Sequence, residues 1–193
     1  MSLSVIIPVY NEKKTIQIII EKVQKFKELE KEIIIVDDCS NDGTSEIVEL
    51  LGKKYPEIKY IKNEKNLGKG AAIRKGLDII SKDIVLIQDA DLEYDPKDYS
   101  KLLEPILSKN AEVVYGSRFL GGGPVRVHLF WNYLANKILT LVTNILVNMN
   151  FTDMETGYKL FRSEVIKSID LEENSFGIEP EITIKLAKKK HIF

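Results

Sequence analysis

Short apolar runs alternate with longer amphipathic stretches along the chain up to residue 118. The apolar runs are rich in Val and Ile and end at polar residues, which is typical of strands buried in a sheet. They predict strands at Ser4–Val9, Glu32–Val36, Ile58–Lys62, Ile84–Gln88 and Ala111–Tyr115. The stretches between them predict helices at Lys13–Leu29, Thr44–Tyr55, Gly70–Ile80 and Tyr99–Leu107. Because this alternation builds β-α-β units, we expect an α/β fold with a mainly parallel sheet and helices on both faces.

The pattern changes after Arg118, where a glycine-rich loop follows. The elements predicted beyond it are a long amphipathic helix, a short strand and two more helices, at His128–Val147, around Tyr158–Phe161, and from Ser163 and from Glu179. The chain stops at KKKHIF, where the pattern predicts the start of a further strand. We therefore expect a single domain, 1–193, that is truncated at its C-terminus.

Composition and charge narrow the class of protein. The 193 residues are 44% hydrophobic and 30% charged, and 28 Lys and Arg against 29 Asp and Glu leave a net charge of -1. Such a balance argues against nucleic acid as a partner. Cys39 is the only cysteine, so no intramolecular disulfide can form and a reducing, cytoplasmic compartment is expected. The N-terminus lacks the features of a signal peptide, and Leu129–Met149 is too polar for a membrane-spanning helix.

Polar residues follow every strand predicted before residue 118. In open α/β sheets, ligands bind beyond the carboxyl ends of the strands, where the strand order reverses. The segments at these ends are Pro8–Glu12, Asp37–Ser40, Asn63–Lys69, Asp89–Asp91 and Gly116–Arg118. Two of them carry paired carboxylates, whose repulsion is costly unless a cation or a ligand satisfies it. This edge of the sheet is therefore predicted to hold a metal-assisted nucleotide site.

Each acidic pair also has a purely structural interpretation. Asp89-Ala90-Asp91 offers the oxygen ligands that Mg²⁺ or Mn²⁺ prefers, but carboxylates also favour solvated turns. Asp37-Asp38 either hydrogen-bonds a nucleoside or belongs to a loop with Thr44 as the helix N-cap. The glycines of Asn66–Gly70 allow close approach to an anion, although the spacing is not that of a phosphate-binding P-loop. No G-x-G-x-x-G follows the first strand, so an NAD site is disfavoured.

The chain resembles the inverting family 2 glycosyltransferases of the A-type fold, whose sheet is Rossmann-like. The segments that carry the resemblance are PVYNE (8–12), VDDCSNDGT (36–44), NLGKGAA (66–72), QDADLEYDP (88–96) and GSRF (116–119). TDMETGYKLFR (152–162) and FGIEPEI (176–182) resemble the branch that acts on polyprenyl phosphates, which includes the dolichol-phosphate mannose synthases. The resemblance implies a nucleotide-sugar-binding half, 1–118, and an acceptor-binding half, 119–193.

The resemblance also implies roles for individual residues. The nucleotide would contact Pro8, Tyr10, Glu12, Asp37, Asp38, Lys69, Asp89 and Ala90. The Mg²⁺ or Mn²⁺ ion would be held by Asp89 and Asp91, with Glu93 as an assistant. Asp91, Asp153 and Arg118 form the expected catalytic set. Asp153 lies where relatives that glycosylate hydroxyl groups place a general base, and Glu155 is close enough to compete with it.

Arginine is scarce and unevenly distributed. Of the four arginines, only Arg74 precedes the end of the fifth strand. Guanidinium groups recognise phosphate through two parallel hydrogen bonds, and exposed salt bridges are the alternative explanation. The residues expected at an acceptor phosphate are Arg118, Arg126, His128 and Arg162, although His128 has an equally plausible structural role near a helix start.

The predicted helix His128–Val147 carries an apolar stripe that is either core or a surface resting on a bilayer, with Phe130 and Trp131 as interfacial anchors. The implied reaction transfers a sugar from a UDP- or GDP-sugar to a polyprenyl phosphate at the cytoplasmic face of a membrane. One alternative is transfer to a sugar or protein hydroxyl, with Asp153 or Glu155 as base. Another is a non-catalytic nucleotide-sugar-binding protein, against which the intact pair Asp89 and Asp91 argues.

Overall fold

A computed structural model describes residues 1–119, 129–189 and 193. The strands are β1 Leu3–Val9, β2 Lys31–Asp37, β3 Ile58–Lys62, β4 Ile84–Ile87, β5 Val113–Tyr115 and β6 Lys159–Arg162. The helices are α1 Ile16–Lys25, α2 Thr44–Lys54, α3 Lys69–Leu77, α4 Tyr99–Ser108, α5 Phe130–Val147, α6 Ser163–Lys167 and α7 Ile178–Lys188, and a 3₁₀ turn, Pro96–Asp98, precedes α4. The further strand predicted to start at KKKHIF falls on 190–192, outside the described residues. The other predicted strands and helices are present, with ends shifted by a few positions.

The strands form one sheet in the order β3-β2-β1-β4-β6-β5. β1 pairs in parallel with β2 and with β4, whereas β6 runs antiparallel between β4 and β5. The chain leaves β1 towards β2 and β3 and later returns to the other side of β1 with β4. This reversal places the carboxyl ends of β1, β2 and β4 side by side, which is where a ligand is expected to bind. The predicted mainly parallel α/β sheet is confirmed.

Apolar side chains fill a core on each face of the sheet. Val5 and Ile7 of β1 point into the core formed with α1, α2 and α4, whereas Ile6 points into the core formed with α3, α6 and α7. Because both faces are covered, β1 is apolar along almost its whole length rather than at alternate positions. The sheet is thereby a rigid base for the loops at its carboxyl edge.

Helix α5 differs from the other helices because its polar side faces the protein. Its buried residues are Asn136, Thr140 and Thr143. Its apolar side chains are exposed, including Trp131 at 74% and Ile145 at 72%. The interpretation of its apolar stripe as core is therefore wrong. Within residues 1–119 and 129–189, no helix is long and apolar enough to cross a membrane.

The contact between α3 and β1 yields a prediction about stability. A Cβ added to Gly76 would lie 2.7 Å from Cγ2 of the buried Ile6, so Gly76→Ala should lower the free energy of unfolding by about 1–3 kcal/mol. Gly52 of α2 has open space around it. Gly52→Ala should therefore raise that free energy by up to ~1 kcal/mol, because alanine favours the helix. Urea unfolding of both variants measures the two effects, and an equal effect of both would contradict this packing.

Candidate active site

A cavity of about 430 Å³ opens at the carboxyl edge of the sheet, between the ends of β1, β2 and β4 and the start of α3. The residues predicted to bind the nucleotide or the metal that line it are Pro8, Tyr10, Glu12, Asp38, Lys69, Asp89, Ala90 and Asp91. Ser175 and Phe176, from the segment before α7, close another side. The fold thus brings together residues that are up to 168 positions apart, from Pro8 to Phe176. Asp37 is not among the lining residues.

Asp37 is fully buried, and both oxygens of its carboxylate accept hydrogen bonds from neighbouring residues. It accepts hydrogen bonds from the Ser40 backbone N–H at 2.8 Å, the Ser45 hydroxyl at 2.5 Å and the Tyr60 hydroxyl at 2.9 Å. Burial alone would raise the pKa of Asp37, but these hydrogen bonds hold it below its ordinary value. The prediction that Asp37 contacts the nucleotide is therefore corrected, because its Oδ1 holds the loop after β2 and its Oδ2 binds Ser45 of α2 and Tyr60 of β3.

Asp38 connects that loop to the start of α3. Its Oδ1 accepts from Asn63 Nδ2 at 2.8 Å, and its Oδ2 accepts from the Gly68 N–H at 2.7 Å. A Cβ on Gly68, which has φ +98°, would lie 2.3 Å from the Asn174 carbonyl oxygen. Glycine is therefore required here both for the left-handed backbone and for the close approach of the segment before α7. The conformation of the glycine-rich loop is therefore explained by this packing.

Asp89 and Asp91 follow β4 in different environments. Asp89 is partly buried, and its Oδ1 lies 2.8 Å from Lys69 Nζ. Asp91 is exposed, and its Oδ1 accepts from the Glu93 backbone N–H at 2.9 Å. In the described part of the chain, no cluster of three or more His, Cys, Asp or Glu side chains could hold a metal on its own. Two carboxylates do fit Mg²⁺ or Mn²⁺ shared with a diphosphate, because such ions use one or two carboxylates plus substrate phosphates.

Lys69 also contacts Glu179 of α7, a residue to which the sequence analysis assigned no role. The Lys69 ammonium lies 3.0 Å from Glu179 Oε1, and the other Glu179 oxygen accepts from Lys159. Burial alone would lower the pKa of Lys69, but Asp89 and Glu179 raise it well above its ordinary value. Burial would likewise raise the pKa of Glu179, which Lys159 and Lys69 hold below its ordinary value. The sequence signal for Glu179 was the segment FGIEPEI, which carries part of the family resemblance.

Arg118 is fixed by Asp153. Its Nε donates to Asp153 Oδ2 at 2.8 Å and its Nη2 donates to Oδ1 at 2.9 Å, while Asn136 Nδ2 also donates to Oδ1 at 2.8 Å. Burial would raise the pKa of Asp153, but the hydrogen bonds from Arg118 and Asn136 keep it below its ordinary value. Asp153 is buried and both of its oxygens are occupied, so it is in no position to act as a general base. Its predicted catalytic role is corrected to that of orienting Arg118.

A second cavity, of about 420 Å³, lies beside Arg118 and the start of α5. Glu93 and Glu155 line it together with Tyr133 and Asn136. Burial is the main cause that raises the pKa of Glu155 above its ordinary value. Glu155 is therefore the carboxylate of the 152–162 segment that faces open space. This cavity adjoins the first one through the loop that carries Asp91 and Glu93.

Arg162 lies at the opposite edge of the sheet. Because β6 is antiparallel to β4, Arg162 pairs with Ile84 at the amino end of β4, whereas Lys159 pairs with Ile87 at the carboxyl end. The Arg162 guanidinium donates to the carbonyl oxygens of Ile106 and Ala111. Its predicted contact with an acceptor phosphate is therefore wrong. Arg126 and His128 lie outside the described residues.

The chain belongs to glycosyl transferase family 2, since the model of that family matches residues 4–170. It is 34% identical over 188 residues to a dolichol-phosphate mannosyltransferase of Pyrococcus furiosus, covering 96% of this chain and 53% of that protein. It is 27% identical over 195 residues to an undecaprenyl-phosphate mannosyltransferase of Micrococcus luteus, covering 97% of this chain and 79% of that protein. The chain thus spans about half the length of the first of these relatives.

The fold matches that of solved glycosyltransferases. Glucosyl-3-phosphoglycerate synthase of Mycobacterium tuberculosis, solved with Mn²⁺, uridine diphosphate and phosphoglyceric acid, superimposes with a TM-score of 0.77 at 22% identity. The match covers 97% of this chain and 64% of that one. The predicted family and the A-type fold are therefore confirmed.

The buried pair of Asp153 and Arg118 predicts a pH-dependent loss of stability in Asp153→Asn. At pH 7 the free energy of unfolding should fall by about 3 kcal/mol, because Arg118 loses its charged partner. The lowered pKa of Asp153 means that its contribution is present above about pH 4 and is lost as the pH falls through the folded-state pKa. The difference between the two proteins in urea unfolding should therefore shrink below about pH 4.

Asp98→Asn is the control for this measurement. Asp98 forms an exposed ion pair with Lys101 at 3.0 Å. Such pairs contribute at most about 1 kcal/mol. An Asp153→Asn effect no larger than that of the control would show that the buried pair does not stabilise the fold.

Proposed function

We propose that this chain is the catalytic domain of an inverting glycosyltransferase that moves a sugar from a nucleoside-diphosphate sugar to a polyprenyl phosphate. The main support for the proposal is the geometry of Arg118. Its guanidinium lies beside a cavity and is held by Asp153, whose oxygens are both occupied and which cannot act as a base. A phosphate nucleophile is already ionised at pH 7, so it needs a positioned cation rather than a base. The names of the relatives from Pyrococcus furiosus and Micrococcus luteus support the same acceptor class.

The donor nucleotide is assigned to the cavity at the ends of β1, β2 and β4. Pro8, Tyr10, Glu12 and Asp38 line its base and ribose side, and Lys69 faces the position of the diphosphate. Asp89 and Asp91 would hold Mg²⁺ or Mn²⁺, which stabilises the charge that develops on the departing diphosphate. The Mn²⁺ and uridine diphosphate in the Mycobacterium tuberculosis neighbour support this assignment. The proposed donor is a UDP-sugar or a GDP-sugar.

The acceptor phosphate is assigned to the cavity beside Arg118. The Arg118 side chain is 20% exposed and its Nη1 points towards Glu93 Oε2, 3.9 Å away, at the border with the donor cavity. Asp153 fixes the plane of the guanidinium, so the acceptor oxygen can be presented to the sugar in one orientation. Positioning and partial neutralisation of charge are then the contributions of the chain to the attack.

A hydroxyl acceptor is the second candidate function, and Glu155 is the observation that favours it. Glu155 lines the acceptor cavity and its raised pKa moves it towards the range of a general base at neutral pH. Asp153 is excluded from that role by its two occupied oxygens. The choice between the two candidates therefore rests on Glu155 rather than on Asp153.

Helix α5 is proposed to lie on a membrane surface. Its exposed apolar side chains include Phe130, Trp131, Ile138, Leu141, Ile145 and Leu146. An apolar face of this size, beginning with Phe and Trp, is typical of helices that insert into the headgroup region. The acceptor cavity borders this helix through Tyr133 and Asn136, so a polyprenyl chain in the bilayer would reach Arg118. The free thiol of Cys39 supports a reducing environment, and hence the cytoplasmic face.

Arg118→Lys tests the acceptor assignment. The lysine keeps the charge but loses the two-pronged geometry, so the KM for polyprenyl phosphate should rise about 10- to 100-fold, while binding of the nucleotide stays unchanged. Transfer of labelled hexose from UDP- and GDP-sugars to polyprenyl phosphate in detergent with Mn²⁺ measures this. Arg162→Lys, at the opposite edge of the sheet, is the matched control and should leave the KM unchanged.

Glu155→Gln separates the two candidate functions when the transfer assay is run with polyprenyl phosphate and, in parallel, with a hydroxyl acceptor. With a phosphate acceptor, transfer should change little, whereas a required base would make the variant inactive. Wild-type transfer to the hydroxyl acceptor but not to polyprenyl phosphate, lost in Glu155→Gln, would therefore favour the hydroxyl acceptor. Nucleotide binding without transfer to either acceptor class would point to a binding protein.

Trp131→Ser tests the membrane assignment. Removal of the indole should reduce binding to vesicles that contain anionic phospholipid by several-fold, since aromatic side chains anchor interfacial helices. Flotation of vesicles with the bound protein measures the effect. Leu50→Ser is the control, because Leu50 is an exposed apolar residue on α2 with 66% of its surface accessible. Equal losses in both variants would contradict a specific role of α5.

A further inference from the structure

Four charged side chains alternate in sign from the donor cavity into the protein. Asp89 contacts Lys69, Lys69 contacts Glu179, and Glu179 contacts Lys159. Exposure falls along this series, from 20% for the Asp89 side chain to 4% for Glu179 and 0% for Lys159. Buried charges are tolerated only when they are paired. The alternation leaves the series neutral as a whole.

Lys69 and a divalent cation would compete for Asp89. The Lys69 ammonium is 2.8 Å from Asp89 Oδ1, and the backbone of Gly157 packs against the other side of this carboxylate, where an added Cβ would lie 2.1 Å from Oδ2. An ammonium with Asp89 as its sole anionic partner would resist giving it up, because an unpaired buried charge is costly. Glu179 supplies a second partner 3.0 Å away.

We propose that Glu179 is a positioning residue that holds Lys69 at the floor of the donor cavity and thereby frees Asp89 to take part in cation binding. This inference rests on the proposed function, because it concerns the same donor site. Lys69 retains Glu179 as its partner and keeps its ammonium on the diphosphate side of the cavity. Glu179 touches neither substrate nor cation in this arrangement and acts only through Lys69.

The surroundings of Glu179 keep it in place. Lys159 occupies its second oxygen, donates to the Thr156 carbonyl oxygen and lies 4.9 Å from the centre of the Tyr115 ring. The segment before α7 is seated on the glycine-rich loop, where a Cβ on Gly70 would come within 2.4 Å of the Glu173 carbonyl oxygen. The distance between α7 and the start of α3 is therefore set by backbone contact, which fixes Glu179 relative to Lys69.

The test compares Glu179→Gln with Lys69→Met by calorimetric titration of Mn²⁺, and of UDP and GDP without metal. Glu179→Gln should weaken Mn²⁺ binding in the presence of nucleotide about 10- to 100-fold, the usual effect of losing a residue that supports a metal ligand. Its metal-free nucleotide affinity should be unchanged or higher. Lys69→Met should instead strengthen Mn²⁺ binding, because Asp89 no longer pairs with an ammonium. It should weaken the metal-free binding of UDP and GDP, because the diphosphate loses a positively charged partner.

A double-mutant cycle separates positioning from a general effect of charge. In the Lys69→Met background, Glu179→Gln should no longer change Mn²⁺ affinity, since its effect passes through Lys69. If Glu179→Gln weakens Mn²⁺ binding by the same factor in the wild type and in Lys69→Met, the inference is overturned. If Glu179→Gln does not fold, Glu179→Gln combined with Lys159→Met keeps the buried charges balanced and is expected to show the same weakened Mn²⁺ binding.

Glu32→Gln is the matched control. Glu32 is also buried and contacts a lysine, Lys59 at 2.7 Å, but it lies at the amino end of β2. This variant should lower stability and leave Mn²⁺ affinity unchanged. Wild-type protein that binds neither UDP nor GDP with Mn²⁺ would overturn the proposed donor site and this inference with it. Wild-type binding with unchanged Mn²⁺ affinity in Glu179→Gln would overturn the inference alone.

Discussion

Buried charge at the carboxyl edge of the sheet is costly, and the hydrogen bonds and ion pairs of the site offset that cost. A parallel sheet brings its strand ends together, and here those ends carry Asp37, Asp38 and Asp89 within one small region. Each carboxylate must find hydrogen bonds or a cation, because an unpaired buried charge destabilises the fold. The hydrogen bonds that satisfy these carboxylates also hold the loops that line the cavity, so the same contacts stabilise the fold and shape the site.

The same requirement separates the acidic residues by role. Asp37 and Asp153 have used both oxygens on internal partners, and each fixes another part of the site in place. Asp91 and Glu155 keep oxygens directed towards open space. Asp89 is intermediate, since it shares Lys69 with Glu179. The chemistry of the site therefore depends on which carboxylates the fold leaves free, and this is a property of partners rather than of residue type.

Helix α5 connects the cavity beside Arg118 to an apolar surface. Asn136 and Thr140 face inward, where Asn136 binds Asp153 and Thr140 binds the Asn136 side chain. The hydrogen-bonded side of the helix thus supports Arg118 through Asp153, while its apolar side is exposed. In the proposed function, one helix would both support the arginine assigned to the acceptor phosphate and carry the surface on which a lipid acceptor would arrive.

Local sequence patterns were enough to predict the succession of strands and helices along the chain, the mainly parallel sheet and the edge at which the acidic residues gather. These features follow from local periodicity and from the rule that ligands bind where the strand order reverses. Three features follow only from the tertiary fold. Asp38 rather than Asp37 lines the cavity. Asp153 binds Arg118, and Glu179 contacts Lys69. The tertiary fold also placed Arg162 at the far edge, because β6 is antiparallel, and turned the polar side of α5 inward. The physical reason is the same in each case: the partner of a buried polar group lies far away along the chain, and no local pattern records that pairing.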